Sequence, residues 1–142
     1  MKRPRALTIL MWFCAIYAIG AVIGIIVVFV DLGRFIGGYN IGGMAVSRGT
    51  WLRIAAPLVA MIALLMGATA LALKQGRPSA RLTFMLIWPL IITYGVTCAI
   101  IHAVPWKFGL RAVIDATFVG AIAGLLLFKY KPSRFYFTKR GR

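Results

Sequence analysis

Acid is almost missing from this chain. Its 142 residues contain no glutamate and two aspartates, Asp31 and Asp115, against 17 lysines and arginines; there is one histidine, His102, and two cysteines, Cys14 and Cys98. Enzymes that hydrolyse or transfer groups converge several acids, histidines or an activated nucleophile on one point, and this inventory is too small for that, so no catalytic site is expected. Neither cysteine stands in a Cys-x-x-Cys or Cys/His spacing, so no metal or cofactor is expected. Small multidrug exporters carry a glutamate in their first span, which this chain cannot supply. The glycine-rich segment 36–43 lacks the Lys-Ser or Lys-Thr pair of a phosphate-cradling loop.

What is present is apolar. Hydrophobic residues make up 62% of the chain and charged residues 13%, a balance no water-facing domain of this size carries. The charges gather between four apolar runs, at about 6–30, 52–73, 82–103 and 110–130, each near the roughly 20 residues that a 30 Å hydrocarbon core requires of a helix. The expected fold is all-α: a polytopic integral membrane protein, a four-transmembrane-helix bundle occupying 1–142 as one domain, with a basic tail at 131–142. The first run continues to Asp31 without a small-residue cleavage site, so it reads as an uncleaved anchor. Pro57 and Pro89 fall within spans two and three, where bends rather than helix ends are expected. Cys14 and Cys98 fall at different depths, about 12 and 24 Å from the inner ends of their spans, which prevents a disulfide and leaves both as packing residues.

Positive charge orients such a bundle. Lys2, Arg3, Arg5, Lys74, Arg77, Arg81, Lys129 and the bases of the tail fall on one side; only Arg34, Arg48, Arg53, Lys107 and Arg111 fall on the other. Both termini are therefore expected in the cytoplasm of a plasma membrane, in particular a bacterial inner membrane. Trp51, Tyr39 and Trp106 mark the outer interface, and Trp12, Trp88 and the aromatics from Tyr130 onward mark the inner one. The tail interleaves bases with aromatics; directly after a helix end, that texture reads as adhesion to anionic lipids at the cytoplasmic face and not as nucleic-acid binding.

Helices in lipid associate through close backbone approach, for which small residues are the means. Gly20 and Gly24 form such a step in span one, Gly95 with Ala99 and Ala103 in span three, and Ala116, Gly120 and Gly124 in span four. Internal packing is the plainer use of each stripe, but every span has one, which leaves surplus for a membrane-protein partner or a homo-oligomer. The candidate polar site lies toward the outside. Asp115 is the one acid inside an apolar run, expected to pair with Arg111 at i, i+4 within the first helical turn of span four. His102 is expected at the outer end of span three, within reach of that pair, and Asp31 at the outer end of span one. The near-repeat at 36–43 is expected to be a glycine-rich connector that resists regular structure.

Two functions remain. The leading expectation is a small non-catalytic binding protein of the inner membrane, an accessory or regulatory subunit or an immunity protein that neutralises a membrane-acting toxin, working through helix faces and outer loops. The alternative is a small oligomeric transporter or channel that uses Asp115 for proton or cation coupling.

Overall fold

The computed structural model describes residues 4–32, 38–41 and 44–130. In chain order its elements are α1 (Arg5–Phe29), a hairpin of β1 (Tyr39–Ile41) and β2 (Met44–Val46), α2 (Arg48–Gln75), α3 (Ser79–Met85), α4 (Ile87–Ile100) and α5 (Trp106–Gly124), the last running into a π-helical turn at Leu125–Lys129. Four helical stretches are long and apolar enough to cross a membrane: Arg5–Phe29, Arg48–Gln75, Ser79–Ile100 and Trp106–Lys129.

The boundaries differ from the hydropathy runs for local reasons. Helix α2 starts four residues early because Ser47 caps it, its hydroxyl accepting from the Thr50 amide at 3.1 Å. It ends at Gly76, whose left-handed φ of 71° lets the Arg77 amide turn back to the Ala72 carbonyl. The third long helical stretch, Ser79–Ile100, lies about three residues earlier than the expected span. His102 adopts a left-handed φ of 55° there, and the His102 and Ala103 amides return to the carbonyls of Ala99 and Cys98. The fourth crossing starts at Trp106, directly after Pro105. Pro57 is accommodated inside a continuous α2. At Pro89 the expected bend becomes an interruption: the missing amide leaves the Met85 carbonyl without its helical partner, and α3 and α4 meet at Leu86.

Two clusters hold the bundle, one at each end. Leu7 of α1 packs with Leu73 of α2, Ala80 and Phe84 of α3, and Leu127 of the π-helical turn. At the other end Ile41 of the hairpin packs with Cys98, Ala99 and Val104, flanked by Trp51 and Phe108. The first cluster contains the beginning of α1 and the end of the fourth crossing, so both lie at one end, here the basic end; the other is the hairpin end. Between them α1 packs on α2, α2 on α3 and α4, and α4 on α5. The cysteines are free and buried, Cys14 in the first cluster and Cys98 in the second.

The connector after α1 is more regular than expected. Tyr39, Asn40 and Ile41 pair antiparallel with Val46, Ala45 and Met44; β1 packs on α2, and Ile41 is buried in the cluster with Cys98, Ala99 and Val104. Alternating apolar residues on either side of the glycines make this register available, and burial of one face fixes it. Ile36, Gly37, Gly42 and Gly43 of the near-repeat and the tail at 131–142 lie outside the described residues.

Candidate functional site

The polar residues expected to form one outward-facing site separate into two groups at the hairpin end. The first is built on the end of α1. Asp31 takes a left-handed φ of 62°, a conformation a short polar side chain tolerates better than most. Its Oδ1 accepts a hydrogen bond from the Tyr39 hydroxyl at 2.6 Å and lies 3.9 Å from Nε of Arg48. The same guanidinium donates to the carbonyls of Val28, at 2.9 Å, and Phe29. Arg48 thus places positive charge on the carbonyl end of α1, where the helix dipole is negative, and joins α1, the hairpin and α2. In the sequence Tyr39 reads as an interface marker and Arg48 as one of five bases on the less basic side; what makes them partners is three-dimensional, the return of the hairpin over the end of α1.

The second group is on α5. Arg111 Nε donates to Asp115 Oδ2 at 3.3 Å, the expected i, i+4 pair. Its setting is not the expected one. Because α5 begins at Trp106, Asp115 lies in its third turn, about 13 Å along the axis, where the dipole gives little help. Both side chains are largely exposed, 76% and 65%, on the outer face of the bundle, where with Trp88 and Phe108 they line a groove of about 280 Å³. His102 does not join them: among the described residues its side chain makes no hydrogen bond or ion pair, and its backbone serves to end α4. No group of three or more histidines, cysteines or acids able to hold a metal ion exists among the described residues.

The small-residue stripes divide as sharply. A Cβ on Gly95 would sit 2.8 Å from Cβ of Ala112, one on Gly109 2.9 Å from Cβ of Ala99, and one on Gly120 2.9 Å from Cγ of Trp88, so α4 and α5 meet in a seam that excludes larger side chains. At Gly124 the nearest atom, in Met85, is at an ordinary 3.5 Å. Among the described residues Gly20 and Gly24 meet nothing within 4 Å, so the step on α1 is not used in packing against them. Helix α1 is also the least covered of the four long apolar helical stretches, with Phe13, Ile16, Ile19 and Ile23 all more than half exposed.

Hydrogen bonds between crossings supplement the seam. The hydroxyls of Thr69, fully buried on α2, and Thr83 on α3 meet at 3.0 Å, and the Tyr94 hydroxyl donates to the Ile54 carbonyl of α2 at 2.6 Å. These ties escaped the sequence reading because a lone Thr or Tyr in an apolar run gives no sign of its partner. The indole N–H of Trp88 is buried and meets no acceptor among the described residues. No family model, curated protein or solved structure matches the chain.

Proposed function

We propose that the protein is a small multi-pass membrane protein of a plasma membrane, in particular a bacterial inner membrane, with both termini in the cytoplasm. Its task is to bind, without catalysis, another protein within the bilayer, as an accessory or regulatory subunit or as an immunity protein. The observation that carries this reading is the open Gly20–Gly24 step on the least covered helix, together with the sparse and scattered polar groups. A helix that packs loosely on its own bundle yet retains a close-approach step is suited to an outside helix. The test is co-purification from the native membrane of one membrane protein in fixed stoichiometry. Gly20→Leu and Gly24→Leu should each abolish that association while leaving the isolated chain as stable as before; association unchanged in both variants would refute α1 docking.

The exposed Arg111–Asp115 pair favours a second reading, a small oligomeric transporter or channel. An ion pair on the outer face of a crossing is costly against lipid, and a ring of copies would cover it. That reading requires proton or cation flux in reconstituted vesicles that Asp115→Asn abolishes; a wild-type chain without flux contradicts it.

A further inference from the structure

The basic end is rich in cations, and the chain's acids lie away from it. The two acids, Asp31 and Asp115, both lie toward the hairpin end, whereas Lys74, Arg77, Arg81 and Lys129 lie at the opposite one. From this end an apolar groove of about 640 Å³ runs up between α4 and α5, lined by Met85, Trp88, Ile92, Ala121 and Phe128, with Lys129 at its mouth. Gly120 forms part of its floor, held against the Trp88 ring. Arg81 lies over the ring of Phe128, 5.3 Å from its centre, so a second cation flanks the same mouth. From Lys129 to Ala116 the groove follows α5 for about 20 Å, slightly more than the roughly 15 Å depth of one leaflet.

The geometry points to a binding site for one anionic phospholipid: its headgroup phosphate at Lys129 beside Arg81, and an acyl chain laid in the trough between α4 and α5. An apolar trough of leaflet depth with a cation at its headgroup end matches the charge and the shape of such a lipid, whereas a zwitterionic lipid brings its own cation to the same place. The site rests on membrane insertion but on neither the α1 partner nor the orientation, so its failure and theirs are separable.

Trp88 reports on the groove. The full chain with Trp12→Phe, Trp51→Phe and Trp106→Phe retains a single indole and is reconstituted in vesicles of phosphatidylcholine with a minority of phosphatidylglycerol. Bromine is carried on the acyl chains of one lipid or the other at equal mole fraction. Bromine on phosphatidylglycerol should quench Trp88 with an apparent affinity about fivefold higher than bromine on phosphatidylcholine, the preference expected of one cation. Lys129→Gln should bring the ratio close to one, a change that diffuse attraction to the many other bases would not show. Ala121→Phe, which fills the trough, should reduce quenching by both lipids. Equal quenching in the parent chain, a ratio insensitive to Lys129→Gln, quenching insensitive to Ala121→Phe, or no quenching by either lipid, as when a protein segment fills the groove, would each overturn the site.

Discussion

Arg48 ties the hairpin end together. It binds two terminal carbonyls of α1 and approaches Asp31, which Tyr39 also holds. Hydrogen bonds from a charged donor contribute about 1.5–3 kcal/mol each when buried, and the 40% exposure of this side chain reduces that. Arg48→Ala should therefore destabilise the chain by about 1–2 kcal/mol in detergent unfolding, with Tyr39→Phe costing about 1 kcal/mol or less. Asp115→Asn should change stability by less than about 1 kcal/mol, since its pair is exposed. The glycines give the sharpest contrast. Gly120→Ala drives a methyl into Trp88 and should cost about 1–3 kcal/mol, whereas Gly24→Ala meets open space, gains helix propensity and should be neutral or mildly stabilising. Thermal unfolding of the two variants side by side checks the division between used and unused stripes.

At the scale of elements, the helices were legible and their ends only partly so. Hydropathy finds a crossing because lipid requires some twenty apolar residues in sequence, but it cannot see a cap. Gly76 before Pro78 is a stop readable in the sequence; Asp31 and His102 are left-handed stops built on residues with a Cβ, which nothing in the local sequence marks. The stop at His102 shifted span three, and the start of α5 at Trp106, directly after Pro105, moved Asp115 from a first turn to a third. The hairpin was hidden because the glycines of the 36–43 segment argue equally for a mobile connector, and only the burial of Ile41 in the cluster with Cys98, Ala99 and Val104 decides between them. The interruption at Leu86 follows from Pro89 alone. Pro89→Ala restores an amide for the Met85 carbonyl, so α3 and α4 should fuse, and hydrogen exchange should show new protection at position 89 and slower exchange at its neighbours.

For the whole molecule, the candidate polar site was legible as residues and not as a place. Asp31, His102 and Asp115 do lie toward one end, as alternation of the crossings requires, yet they serve three separate tasks: holding the hairpin on α1, ending α4, and pairing with Arg111 on an outer face. Which stripes face inward was equally illegible, since every long helix is mostly apolar and carries small residues; only the placement of α4 against α5 consumes Gly95 and Gly120 and leaves Gly20 and Gly24 open to the described residues. The charge asymmetry between the ends needs no structure to be seen, and the proposed orientation rests on it. Its most direct test is thiol labelling in intact spheroplasts with a membrane-impermeant reagent, using chains in which Cys14 and Cys98 are replaced by alanine and one cysteine is introduced at a time. Met44→Cys and Lys107→Cys, both at the hairpin end, should label at once, and Gln75→Cys at the basic end only after the membrane is opened; the reverse pattern, or labelling of all three in sealed spheroplasts, would contradict four crossings with cytoplasmic ends.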